Sequence, residues 1–245
     1  SIFMEEYPKK NYKIFDIDLS GITFHKNWVT IQLGRGRESW GAGENIQLAL
    51  SETSKPYDYL MLRSDYGKIR VKYIHGFLER LLNEENRFIV ARGIEYTNNK
   101  SLVLGLSETI IYSGYNRKFD IAYLNPIGSH LENELNNRLN FPSGSHANSV
   151  WQLHVDHFLK NKFRISWNFL IDEYVFDRKK EPNKQNSIAS SGRIVYSVIN
   201  SEKRIINLAF KHIYVGSFTF SHWKGSNNFV QNEGPLGWEN GSDGE

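Results

Sequence analysis

The sequence has no cysteine, which excludes a disulfide framework, a thiolate metal site and a cysteine nucleophile. Neither sign of charge dominates: 30 Lys and Arg against 27 Asp and Glu leave a formal +3. That balance argues against a nucleic-acid protein built on phosphate neutralisation. No apolar run approaches the ~18 residues a membrane helix needs, so α-helical membrane proteins are excluded. A transmembrane β-barrel is not, because its lumen-facing half is polar and breaks every apolar run. Proline is scarce at six residues in 245, whereas Asn numbers 24 and Gly 19, a balance that fits many turns between many strands. The 34 aromatic residues (15 Phe, 13 Tyr, 6 Trp) are far too many for a disordered chain.

Alternation with a period of two is the strongest signal. Over 150–160, Trp151, Leu153, Val155 and Leu159 fall on one face, and Gln152, His154 and Asp156 on the other. Over 205–221, Ile206, Leu208, Phe210, Tyr214, Phe218 and Phe220 oppose Asn207, Ala209, Lys211, Ser217 and Thr219. Trp167, Phe169, Ile171 and Val175 oppose Asn168 and Asp172. The pleat of a strand requires this, since successive Cβ atoms point to opposite faces. About ten strands are predicted near 14–24, 27–36, 45–51, 68–79, 87–97, 101–113, 118–124, 148–160, 162–177, 190–200 and 204–221. Several are long enough to cross hydrocarbon at a tilt. The joints Asn98-Asn99, Ser113-Gly114, Asn161 and Asn200-Ser201 carry turn chemistry and imply antiparallel neighbours in sequence order. Three stretches read as irregular: 57–65 after Pro56, a loop with room for a short helix; 128–149, a short helix and loop; and 176–191, a charged hairpin loop. The fold class reads as all-β, an antiparallel meander over residues 1–245 as a single domain; a soluble β-sandwich could share the composition, and the long strands lean towards part of a transmembrane β-barrel.

Candidate chemistry is thin. The glycine cluster around Gly34, Gly36, Gly41 and Gly43 lacks the third glycine and the following helix of a dinucleotide site; bends at a strand end explain it better. Arg35 and Arg37 then share one face, read here as inward. His154-x-Asp156-His157 suggests a metal box until the pleat is applied, which sends His157 to the opposite side. Among Glu108, Glu132, Glu134, Asp172, Glu173 and Asp177, no spacing selects the pair that glycoside hydrolysis needs. No cofactor is implied, and the chain reads as non-catalytic.

Five segments together resemble the capsule assembly protein Wzi family, bacterial outer-membrane β-barrels that bind capsular polysaccharide. They are Gly34-Arg35 with Trp40-Gly41-Ala42-Gly43, Leu48-Ala49-Leu50-Ser51 and Pro56-Tyr57-Asp58; Leu104 to Thr109 with Ile111-Tyr112-Ser113-Gly114; Tyr123-Leu124-Asn125-Pro126 with Glu132; Phe169 to Glu173 with Asp177; and Gly234-Pro235-Leu236-Gly237. The resemblance implies a barrel of about eighteen strands, an outer-membrane address and a lectin-like role towards capsular or exopolysaccharide. Lipid would be a partner, and other envelope proteins could be. The chain opens at Ser1 without an export signal, so it is expected to be an internal portion of a longer chain.

Polysaccharide recognition needs planar hydrogen-bonding groups beside aromatic rings. Arg35, Arg37 and Trp40 offer both, with Asn125, Glu132, Asp172 and Asp177 as additions. A purely structural alternative is Arg facing Asp or Glu across a lumen. Two rivals stand beside the polysaccharide-binding barrel: a soluble carbohydrate-active β-protein, either binding module or glycoside hydrolase, and a gliding or secretion accessory barrel. The side on which Trp151, Leu153, Val155, Leu208 and Phe210 lie discriminates the soluble rival. A barrel turns them outward to lipid, on its convex side, and a soluble protein buries them.

Overall fold

Six tight turns fold the alternating segments back on themselves, five at one end of the sheet and one, at 81–84, at the other. Asn27, Asn99 and Lys160 take positive φ, and Gly67 (φ 61°) supplies the same left-handed conformation without a Cβ. At the 98–101 turn the Asn98 side chain accepts from the backbone N–H groups of Lys100, Ser101 and Leu102, the local bonding that makes Asn a turn residue. The computed structural model describes residues 7–9, 12–14, 19–125, 127–136, 138–139, 147–160, 162–173, 186–232 and 234–238.

After a short hairpin of β1 (Tyr7–Lys9) and β2 (Tyr12–Ile14), ten strands form one antiparallel sheet. They are β3 (Ser20–Lys26), β4 (Val29–Gly36), β5 (Tyr57–Tyr66), β6 (Ile69–Arg80), β7 (Glu85–Thr97), β8 (Leu102–Tyr115), β9 (Ala147–Leu159), β10 (Phe163–Glu173), β11 (Ser187–Ser201) and β12 (Arg204–Val215). Each pairs only with its sequence neighbours, so the meander is unbroken from β3 to β12. A minor pair, β13 (Val230–Gln231) and β14 (Gly234–Pro235), lies in the tail. The single α-helix among the described residues is α1 (His130–Leu135), whose N-terminus is capped by Ser129 accepting from the Glu132 N–H.

Four expectations are corrected. Residues 57–65 are not a loop but most of β5; their alternation is masked because Tyr57, Tyr59 and Met61 on one face oppose the equally apolar Leu60 and Leu62 on the other. Residues 45–51 are not a strand: 46–50 are buried one after another, and only a lone Trp40–Leu50 bridge forms. Residues 118–124 instead make a 3-10 turn, Ile121–Leu124, capped by Asp120 accepting from the Ala122 N–H. The expected 204–221 strand also stops early, at Val215, because Gly216 turns the chain.

The sheet has two unlike faces. One carries the set that includes Gln152, His154, Asn168 and Ser191, and it is covered by residues 37–56 and by the tail. Its core packs Leu48, Leu50, Phe220, Phe229 and Leu236 onto Tyr57, Ile74, Ile89, Ile111 and Leu170. The opposite face carries Ile31, Leu62, Ile94, Leu106, Leu153, Trp167, Ile194 and Phe210, all exposed. Leu208 and Phe210 stand 62% and 68% exposed while Gln152 and Asn168 are 1% and 0% exposed. Trp151 and Leu153 are exposed with them, and Val155 is half-buried. At one end of this apolar face, residues 116–139 cover Phe88, Val90, Ile110 and Tyr112.

The strands are also staggered. The row of paired residues that starts at Lys26, where β3 ends, arrives at Tyr214 on β12, ten residues short of the turn at Arg204. Ten residues over nine steps, at ~3.3 Å per residue and ~4.8 Å per strand, is a tilt of about 37° if the turns lie level.

Candidate functional site: a charged lining beneath residues 37–56

Segment 37–56 has few backbone bonds of its own, and buried amide side chains of the sheet supply them. Asn168 accepts from the Ala42 N–H (2.7 Å) and donates to the Ala42 and Ile46 carbonyls. Gln152 accepts from the Ala49 N–H and donates to the Trp40 carbonyl. Ser191 donates to the Ile46 carbonyl at 2.6 Å. Satisfying buried backbone this way makes the polar face of β9–β11 a template for the segment. Gly41 (φ +121°) fits because a Cβ there would stand 2.6 Å from the Asn168 Oδ1.

Trp40 is buried by this docking. Its ring lies over Gly93, where an added Cβ would meet the indole at 2.9 Å, and the Lys72 ammonium sits 5.2 Å from the ring centroid. Around it runs a network of opposite charges. Lys72 pairs with Glu38, which also accepts from the Tyr59 hydroxyl. Arg63 and Arg70 share Asp65 at 2.6 and 2.5 Å, and Arg70 reaches Glu95 at 3.1 Å. Glu95 in turn meets His154 Nε2 at 3.1 Å. Further along, Asp156 receives Arg164 (2.7 Å) and the Ser166 hydroxyl (2.7 Å). A cavity of about 130 Å³ opens between Ser39, Trp40, Arg63, Arg70, Lys72 and His154. Its lining is a donor-rich, charge-balanced surface suited to hydroxyl-bearing ligands.

A second polar cluster lies on the apolar face, under residues 116–139. Arg92 and Glu108, paired across β7 and β8, are both buried, with Nη2 to Oε2 at 2.6 Å. Arg92 also donates to the Asn125 carbonyl (2.9 Å), and Glu108 accepts from the His130 N–H (3.0 Å). Beside them Phe88, Tyr112 and Tyr123 stack at 5.0 and 4.9 Å, and the Tyr123 hydroxyl meets His130 Nδ1 at 2.8 Å. Burial pushes the His130 imidazole down to about 4; nearby Arg92 and Arg117 add to this and Glu134 opposes it. Burial likewise raises the Tyr123 phenol.

Compared with protein-family models, curated proteins and solved structures, the chain finds no match.

The residues proposed from sequence do not converge. Trp40 alone lines the cavity. Arg35 is not inward: on β4 it shares the apolar side with Ile31 and Leu33 and meets Asp58 at 3.5 Å. Arg37 lies just beyond β4, half-buried. Asn125 and Glu132 belong to the segment on the opposite face, where Glu132 pairs with Arg138 at 2.6 Å. Asp172, at the end of β10, accepts from the Phe220 N–H at 2.6 Å and so ties down the tail. Asp177 lies outside the described residues. His154 and Asp156 share the polar face while His157 takes the other, and no group of three metal-ligating side chains forms among the described residues. Arg63, Asp65, Arg70, Lys72 and Glu95 were missed. Reading 57–66 as a strand would have placed Arg63 and Asp65 on one face, opposite Arg70 and Lys72 across the next turn.

Proposed function

We propose that these ten strands belong to a transmembrane β-barrel of the bacterial outer membrane, whose polar interior and long connections meet surface polysaccharide without catalysing a reaction. One observation carries the reading: the sheet turns its apolar rows outward and its charged network towards the covered face. In water each of these roughly half-exposed Leu, Ile or Phe side chains forgoes about 1 kcal/mol of burial, and a dozen or so such residues on one face is a heavy cost to leave uncovered. Hydrocarbon removes the cost. The ~37° stagger fits the tilt of membrane barrels, and tight turns at one end with longer connections at the other, the β6–β7 turn at 81–84 apart, fit their loop asymmetry. The paired Arg, Asp and Glu beside Trp40 support contact with sugar hydroxyls, and the resemblance to the Wzi family points the same way.

The membrane part is tested by refolding the chain from denaturant into detergent micelles, phosphatidylcholine vesicles or plain buffer. Folding with heat-modifiable gel mobility only in micelles and vesicles is expected; a monodisperse folded protein in plain buffer would overturn it. For the sugar part, Arg63→Gln with Arg70→Gln is expected to lower surface-retained polysaccharide at an unchanged level of outer-membrane protein. Unchanged retention removes the sugar role and leaves the membrane role standing.

A further inference from the structure

The five tight turns at the end of the sheet opposite segment 37–56 share something turn geometry does not require. Lys26 precedes the first, Lys68 follows Gly67, Lys100 sits in the third, Lys160 and Lys162 close the fourth, and Lys203 ends the fifth. All six lysines are exposed, and among the described residues none is in an ion pair. Glu202 is the single acid in these turns. A chain with 30 basic and 27 acidic residues would place the two signs there about equally. The nearest strand acids do not offset the lysines, because Asp65 and Asp156 are bonded to Arg63, Arg70 and Arg164 on the polar face.

Aromatic rings sit beside the lysines. Trp28 is in the first turn, Tyr66 and Tyr96 end β5 and β7 on the apolar face, and Phe163 opens β10 stacked on Tyr196 at 4.6 Å. Trp28, Tyr66, Tyr96 and Phe163 are exposed. Amphipathic rings favour the headgroup level of a bilayer, and a lysine stem beyond them carries its ammonium out to the phosphates. Rings beside ammonium groups, repeated at four of the five turns along the inclined edge, match the layering of one leaflet: hydrocarbon, interface, phosphate.

We propose that the turn end is a collar that docks on the anionic phosphate headgroups of one membrane leaflet. This rests on the membrane-spanning reading and assigns that reading a lipid preference.

The test compares the chain with a variant carrying Lys26→Gln, Lys68→Gln, Lys100→Gln, Lys160→Gln, Lys162→Gln and Lys203→Gln. Both are reconstituted in phosphatidylcholine vesicles with or without phosphatidylglycerol, and the unfolding midpoint is read from heat-modifiable mobility. Phosphatidylglycerol is expected to raise the native midpoint by several degrees, less so at about 1 M salt where screening is nearly complete. The variant should match the native chain in phosphatidylcholine and gain nothing from phosphatidylglycerol. Should the sixfold variant fail to fold, Lys160→Gln with Lys162→Gln is expected to lose part of the gain. An equal gain with and without the lysines, or no gain at all, overturns the collar while insertion itself survives. Insertion into neither vesicle type sinks the membrane reading and the collar with it. Polygalacturonate reproducing the lysine-dependent gain on phosphatidylcholine vesicles would assign the surface to acidic polysaccharide and reject lipid.

Discussion

Removing Glu108 should be the most damaging single change on the apolar face. Its carboxylate is 2% exposed, holds the 6%-exposed Arg92 guanidinium and accepts from the His130 N–H. Glu108→Ala leaves a buried cation whose remaining partner is the Asn125 carbonyl, and it orphans a buried backbone donor. Truncating one partner of a buried pair costs about 3–5 kcal/mol, most of it the penalty on the charge left behind. Glu108→Gln keeps the shape and one acceptor, so a smaller loss of about 1–1.5 kcal/mol is expected, the difference between a charge-assisted bond and an ordinary one. The double replacement Arg92→Met with Glu108→Leu removes both charges and should recover most of the loss. Urea unfolding in detergent micelles, followed by tryptophan fluorescence, would measure all three against the native chain. A loss under about 1 kcal/mol for Glu108→Ala, or a double variant no better than the single, would refute the argument. The first would mean that water reaches Arg92, and the second that Arg92 and Glu108 are not coupled.

Acidification should loosen segment 116–139. The His130 pKa is lower in the folded state (about 4) than in an unfolded chain (about 6.5), so between those values the opened state binds the extra proton. The stabilisation is complete above pH 6.5 and is lost as pH falls towards 4, by up to about 3 kcal/mol. Hydrogen exchange of the amides around Tyr123 should therefore quicken across that window, and a flat profile would show that His130 stays solvated. Gly105→Ala should also destabilise, by about 1–3 kcal/mol, since the new Cβ would lie 2.1 Å from the His154 ring and push it off Glu95. Chemical unfolding beside His154→Ala with Gly105→Ala is the check: if the double variant does not relieve the strain, the clash is not the cause.

Much of the meander could be read from residue alternation because β8–β12 segregate their sides sharply. Leu153 against His154 and Leu208 against Asn207 leave no doubt of the period. β5 escaped because both of its faces are apolar, one packing under Leu48 and Leu50, the other standing open. Segment 45–51 misled for the opposite reason: Ile46, Leu48 and Leu50 alternate in sequence, yet the residues between them are buried too, held by Gln152, Asn168 and Ser191 rather than by a strand. The site was less legible. It is assembled from segment 37–56 and from β5, β6, β7 and β9, so its members lie far apart in sequence and meet through pairing registers and docking that no local pattern states. Arg35 and Arg37 drew notice as neighbours in a glycine-rich stretch, whereas the network is built from Arg63, Arg70 and Lys72, which look ordinary one at a time.

The end strands raise a matter of backbone accounting. β3 and β12 each have one long side without a strand partner among the described residues. On the twelve-residue β12, about half the residues direct an N–H and a C=O to that side. Water would answer those groups at no great cost, but hydrocarbon has no donor or acceptor to offer, and each unanswered group there costs several kcal/mol. In lipid, therefore, the two bare edges are the strongest demand the sheet makes on its surroundings, and only another strand meets it. The ten-residue stagger bears on this directly: an offset of about one residue per strand is the pitch at which a tilted sheet, carried round a cylinder, brings its last strand level with its first.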